Sequence, residues 1–247
     1  MSAITNGVRI TLDSDPSVSL HSINDLHFAI GNNNYIGEPE LETNYLNIPG
    51  RNGYIDFSEA VSGHPVYKSR IINILFGAEE AAMNWDAALS SFRNIFDGKR
   101  VRLTFDNDPE WYWIGRARVI EFDRTQNLGQ FTFSVFADPF KYFLQSTDEY
   151  DWLWDPFNFN TGIIEQYRNL RVQGTASITV PVSDAPVTPE IIATNMVVRI
   201  KVNYNGQEVL LDNGTNYFPQ LRLVPGLDSY TLQGIGNVTI KYRKGSL

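Results

Sequence analysis

Residues 66–105 read VYKSRIINILFGAEEAAMNWDAALSSFRNIFDGKRVRLTF, and the hydrophobic period changes twice along them. The front alternates as a strand does. Tyr67, Ser69, Ile71, Asn73 and Leu75 share one face, and Ile72, Ile74 and Phe76 the other, so both faces of its end look covered. From Glu79 the spacing becomes three and four. Ala81, Trp85, Ala88, Leu89, Phe92, Ile95 and Phe96 then form one broad apolar stripe, which predicts a helix over residues 79–96. Glu79 and Glu80 in its first turn and Arg93 near its end complement the helix dipole, and Gly98 supplies a stop. Trp85, Leu89, Phe92 and Phe96 are its expected core. Strand alternation resumes in KRVRLTF (99–105). Strands around one long helix predict an α+β domain, with the helix covering a mainly antiparallel sheet or β-barrel-like arrangement.

Upstream, GVRITL (7–12) alternates with Val8, Ile10 and Leu12 on one face. DLHFAIG (25–31) runs into the polar cluster GNNNYIGEP (31–39), and ELETNYLNIPG (40–50) leads to a glycine-rich loop, Pro49-Gly50-Arg51-Asn52-Gly53. YIDFSEA (54–60) follows, alternating Ile55 and Phe57. Downstream, WYWIGRARVIEFD (111–123) and LGQFTFSVFADPF (128–140) complete a first domain assigned to residues 1–143. Residues 144–160 are rich in rings and acids without a clean period, and form the expected join. Tyr150, Trp152, Trp154 and Phe157 are its candidate interdomain or partner-binding aromatics. Residues 161–247 break into short strands between Gly, Pro, Asn and Asp turns, with YNGQ (204–207) a hairpin signal. That predicts an all-β sandwich or jelly roll.

A chain of 247 residues can bury roughly 70–75% of its extended surface, so it needs no disulfide or metal to fold. It has no cysteine, which removes disulfides, thiolate catalysis and sulfur-ligated metal together. The opening MSAITNGVRITLDSD lacks a basic and an apolar leader region, so no signal peptide is expected. No run of 18 apolar residues occurs, so no membrane partner is expected. The formal charge of -8 disfavours phosphate-backbone binding, and the densest basic spot, Lys99, Arg100 and Arg102, is too small to reverse that. These features suit a soluble intracellular domain pair with no specific nucleic-acid binding.

The glycine-rich loop lacks the GxxxxGK[ST] and GxGxxG patterns, and a strand rather than a helix N-terminus follows it, so it is not a phosphate cradle. Pro49 fixes φ while Gly50, Asn52 and Gly53 tolerate positive φ, which makes the loop a shaped turn. His21, His27 and His64 sit in separate segments without metal-ligand spacing and read as surface or turn residues. Ser58, Asp56 and His64 are close in sequence, but no GxSxG elbow accompanies them. Asp148, Glu149, Asp151 and Asp155 lie among aromatics, which keeps a glycoside hydrolase open as a minor alternative. Tyr204, Tyr217, Phe218 and Tyr230 keep open a carbohydrate-binding module for host attachment. No catalytic, cofactor or metal residues are predicted.

Taken in order, NIPGRNGYIDFSE (47–59), YKSRIINILF (67–76), the helix, GKRVRLTFDNDPEWYWIGR (98–116) and GQFTFSVFADPFKYF (129–143) resemble the distal tail protein family of long-tailed phages and prophages. That family carries an "ipGrdG" loop, an aromatic-striped helix, a "D…p..yy" hairpin and a final "F.c.Py.y" strand. Here the last motif is carried by Phe133, Phe136, Asp138, Pro139, Phe140 and Tyr142, and Ala137 stands where many relatives have cysteine. LLDNGTNYFPQLRLVPGLDSYTLQGIGNVTIKY (210–242) resembles the end of the family's galectin-like β-sandwich, with the usual asparagine of its "pG.N.i" turn replaced. The resemblance implies a non-enzymatic structural protein: a homo-hexameric ring formed through the first domain, joining the tail tube protein to the tip or baseplate hub protein. It implies outward second domains, DNA passing through the ring, and a place in the virion tail after assembly in the bacterial cytoplasm. Pro49, Gly50, Arg51, Asn52 and Gly53 become candidate subunit contacts, with Arg51 reaching a carboxylate.

Overall fold

The computed structural model describes residues 7–31, 34–60, 62–78, 85–124, 129–146, 157–158, 163–164, 167–180, 185–224 and 229–247. They divide between two compact units, Met1–Lys141 and Tyr142–Leu247. The first contains β1 (Val8–Leu12), β2 (Ser19–His21), β3 (Ala29–Ile30), β4 (Tyr35–Ile36), β5 (Tyr45–Asn47), β6 (Tyr54–Asp56), β7 (Arg70–Ala78), α1 (Trp85–Phe96), β8 (Arg100–Phe105), β9 (Trp111–Arg124) and β10 (Gly129–Ala137). Its sheet runs β2-β1-β8-β9-β10-β7, and β3 and β4 share the outer edge of β7. Every pairing is antiparallel.

Alternation decides which face is inside. Val8, Ile10 and Leu12 are buried, as are Ile72, Ile74 and Phe76 of β7, Val101, Leu103 and Phe105 of β8, and Phe131, Phe133 and Val135 of β10. The opposite face of β7 is only partly covered, and its Ile71 is 49% exposed. Helix α1 lays Leu89, Phe92 and Phe96 into the inner face. Trp85 opens α1 in the backbone, but its side chain and residues 79–84 lie outside the described set. Phe92 is the hub of an aromatic cluster, with ring centroids 5.0 Å from Phe96 and 5.2 Å from both Phe131 and Phe133. Such pairs add about 0.5–1.5 kcal/mol each beyond area burial. Gly115 in β9 lets β10 approach closely: a Cβ there would sit 2.3 Å from the Phe136 carbonyl oxygen.

His21 departs from the surface-or-turn expectation. It is 6% exposed, and its Nδ1 accepts the backbone amides of Ile23 and Asn24. The proton therefore sits on Nε2, which donates to Asp106 at 3.0 Å. The ring ties the β2 turn to the end of β8.

The second unit is all-β in the described residues apart from one 3-10 turn, Pro219–Leu221. Its strands are β11 (Lys141–Phe143), β12 (Phe157–Asn158), β13 (Ile163–Ile164), β14 (Leu170–Thr179), β15 (Glu190–Tyr204), β16 (Gln207–Leu210), β17 (Gly214–Tyr217), β18 (Ser229–Lys241) and β19 (Gly245–Ser246). A five-stranded antiparallel sheet runs β14-β18-β15-β16, with β17 also on β15. Asn205 and Gly206 turn β15 into β16 at φ 47° and 78°, the doubly positive pair of a type I′ hairpin. Tyr230 is fully buried against Tyr204, 4.9 Å between rings, and donates its hydroxyl to the Leu221 carbonyl at 2.7 Å.

Candidate assembly surface

Between β4 and β7 the first unit extends an arm. Its base is fastened to the sheet edge: Gly37 N–H donates to Ile71 O, Glu42 N–H to Val66 O, and Lys68 N–H to Glu40 O, each at 2.8 Å. Lys68 also pairs with Glu40 through its side chain. Beyond that point β5 and β6 form a two-stranded hairpin that pairs only within itself among the described residues. Its neck is closed by Phe57 N–H donating to Asn44 O and by Asn44 N–H donating to the Ser58 hydroxyl. Asp56 accepts from the amide and hydroxyl of Ser58, and these bonds hold its carboxyl below the usual carboxylate range.

The tip is the glycine-rich loop. Arg51 N–H donates to Ile48 O at 3.1 Å, so Pro49 and Gly50 occupy the two central positions of a turn. Gly50 stands at φ 85°, which matches the Pro-Gly pattern of a type II turn, and Gly53 stands at 81°. All five residues from Pro49 to Gly53 are exposed, and the Arg51 side chain has no ion-pair partner among the described residues.

The arm's apolar side chains are also outside. Tyr54 is 69% exposed, Tyr45 57% and Leu46 49%, with Leu41, Ile48 and Phe57 exposed as well. Of the alternating pair Ile55 and Phe57, Ile55 is half-buried and Phe57 exposed, and among the described residues the hairpin pairs with no other strand. These rings were not singled out from sequence, since alternation reports a strand's two faces and not whether either is covered.

The outward face of the main sheet is the unit's other unusual surface. Register places Ile71, Phe136, Arg116 and Arg100 in one row across β7, β10, β9 and β8. Phe136 is 60% exposed. Arg118 occupies the next row, opposite Ser134. Arg100 pairs with Asp13 and Asp138, and Arg102 with Asp13. Burial raises the Asp138 carboxyl, Arg100 opposes that shift, and Asp13 adds to it.

The chemistry weighed from sequence does not come together. Ser58 donates directly to Asp56, and His64 turns its Nδ1 to the Pro65 carbonyl, so the three make no relay. Among the described residues no group of three or more His, Asp or Glu could hold a metal. No helix among the described residues is long and apolar enough to cross a membrane. Tyr150, Trp152, Trp154 and the carboxylates Asp148, Glu149, Asp151 and Asp155 lie outside the described residues, and Phe157 is described in its backbone alone. A cleft of about 420 Å³ in the first unit is bordered by Tyr35, Glu38, Asp108, Trp113 and Lys141, but Lys141 already neutralises Asp108 at 2.5 Å. In the second unit, Tyr204 and Tyr230 are core and Phe218 is partly buried against it, which removes them as an exposed sugar platform. Tyr217 is 61% exposed and borders a shallow groove with Tyr142, Thr188 and Arg222.

Residues 18–137, covering most of this sheet and the whole arm, match the family model described as "Phage tail protein RIFT-related domain". That segment is thus homologous to a class of phage tail proteins. Over nearly the whole chain the fold is similar to the crystal structure of the SPP1 Dit protein (gp 19.1), described as a paradigm of hub adsorption apparatus in Gram-positive infecting phages. The match covers 97% of this chain and 99% of that one, with a TM-score of 0.55 and 13% identity, a likeness of fold. No curated protein matches the sequence.

Proposed function

We propose that the chain is a non-enzymatic structural component of a phage tail, assembling as a homo-hexameric ring through its first unit. The ring joins the tail tube protein to the host-facing tip or baseplate hub protein, with DNA passing through it. It takes its place in the virion tail after assembly in the bacterial cytoplasm. On this reading residues 1–143 are the barrel-like ring domain, and residues 161–247 form a galectin-like sandwich projecting outward. Residues 144–160 join them, with Tyr150, Trp152, Trp154 and Phe157 contacting the other domain or a partner.

The observation that carries the proposal is the arm, a hairpin with exposed rings and an unpaired arginine tip, within a segment homologous to phage tail proteins. A closed ring needs head-to-tail contacts, so each copy must commit two different surfaces. An arm whose rings stay exposed in its own chain supplies one of them, with Pro49, Gly50, Arg51, Asn52 and Gly53 at the contact. Apolar surface left in water costs roughly 25 cal/mol per Å² relative to burial, which favours covering these rings in an assembly.

Native mass spectrometry at tens of micromolar, alone and with the tube and tip proteins, tests it. A six-copy particle is expected; a monomer under all of those conditions overturns the proposal. The exposed Tyr217 beside Arg222 favours a second reading, saccharide binding by the second unit. Titration with host-wall saccharides that heats the wild type and Tyr217→Ala alike, or neither, removes that reading.

A further inference from the structure

The ring proposal requires a surface that receives the arm, and the outward sheet face of the first unit has the matching chemistry. In a chain of formal charge -8, this face concentrates Arg9, Arg100, Arg102, Arg116 and Arg118. Arg100 and Arg116 stand directly opposite each other across two strands, a like-charge pairing that is unfavourable unless anions balance it. Asp13 and Asp138 balance Arg100 and Arg102, and Arg116 donates to the Gly98 carbonyl. Arg118 has no ion-pair or hydrogen-bond partner among the described residues. Beside these cations the row ends in the exposed apolar pair Phe136 and Ile71.

The arm is the complement. Residues 38–60 contain five acids against one arginine; Glu40 is paired with Lys68 of its own chain, and the exposed Glu42, Asp56 and Glu59 lie close in sequence to the exposed rings of Tyr45, Tyr54 and Phe57. The dimensions also agree. From its neck at Asn44 and Ser58 to the turn, the hairpin runs five residues per side, about 15 Å, and a row spanning four adjacent strands is about 15 Å across. An arm laid across the face therefore reaches from the apolar end to the arginines. Its own sheet is not the recipient, since the hairpin's rings remain exposed in the folded chain.

We infer that the outward face of β7, β10 and β9, through Ile71, Phe136, Arg116 and Arg118, is the docking surface for the acidic, aromatic arm of a second copy of this chain. This rests on the ring reading, and the following experiment separates the two. The chain has no cysteine, so introduced thiols are unique. Tyr54→Cys with Phe136→Cys, treated with a short bismaleimide, yields a ladder of linked copies. Either single variant, and Tyr54→Cys with Val197→Cys on the second unit, yields no ladder. Arg118→Glu raises the half-assembly concentration about ten-fold while leaving the melting temperature in place. Rings that form normally without the pair-specific ladder, or with Arg118→Glu inert, overturn this docking surface and leave the ring reading standing. A wild type that stays monomeric with and without the tube and tip proteins overturns both.

Discussion

Replacing Arg51 by Glu should separate assembly from folding, and the structure sets the magnitude of the folding effect. The Arg51 side chain is exposed at the tip of the arm, with no ion-pair partner in its own chain among the described residues. The turn is held by its backbone amide, which donates to Ile48 O regardless of side chain. Folding should therefore change by no more than about 0.5 kcal/mol. Phe92→Ala supplies the contrast. Phe92 is 1% exposed and touches Phe28, Phe76, Phe96, Phe131 and Phe133, so its removal costs about 3–5 kcal/mol. For a unit of this size those values correspond to melting losses of under about 2 °C and roughly 10–15 °C. On the proposed reading, in which Arg51 reaches a carboxylate of a neighbouring copy, reversing its charge removes an attraction and creates a repulsion, about a ten-fold loss per contact, and every contact of a closed ring carries it. Calorimetry and sedimentation velocity on the same samples read the two effects. A melting loss for Arg51→Glu comparable to that of Phe92→Ala, or unchanged assembly, refutes the reasoning.

Three further substitutions test the fold beneath the site. His21→Ala leaves Asp106 and the amides of Ile23 and Asn24 without their partner, so urea unfolding should show a loss of about 1–3 kcal/mol with assembly of the remaining folded protein unchanged. Gly115→Ala forces a methyl into the backbone of Phe136 and Ala137, and should cost at least about 1–3 kcal/mol by the same measurement. Burial raises the Tyr230 hydroxyl well above its ordinary value, with Tyr204 adding to the shift. The folded state then holds this proton longer than the unfolded chain, so its contribution is complete below about pH 10 and declines as pH rises beyond it. Tyr230→Phe should flatten that alkaline decline in a denaturant series across pH, at the cost of leaving the Leu221 carbonyl unpaired.

The strands and the helix were legible because burial writes a period into sequence. Ile72, Ile74 and Phe76 alternate, while Leu89, Phe92 and Phe96 recur at helical spacing, and each set occupies one face of its element. The YNGQ turn was legible because only Asn and Gly accept two successive positive φ angles cheaply. His21 was not, since nothing local announces that Asp106, eighty-five residues away, closes over it. Gly115 was equally silent: its constraint comes from the neighbouring strand's backbone.

The arm shows the same limit at the candidate site. YIDFSEA has the pattern of a half-buried strand, and the pairing of Tyr54–Asp56 with Tyr45–Asn47 is real. What alternation cannot encode is whether a second layer exists. In β7 and β10 the inner side chains find α1; in β5 and β6 Tyr45, Leu46 and Tyr54 stay exposed and Ile55 is only half-buried, so one pattern yields a core in one place and a largely exposed apolar surface in the other. A hairpin with a strand's sequence and no covering layer is what an element looks like when its complement belongs to another copy. That physical mismatch, more than the glycines of its tip, is why residues 45–56 are proposed as the assembly element.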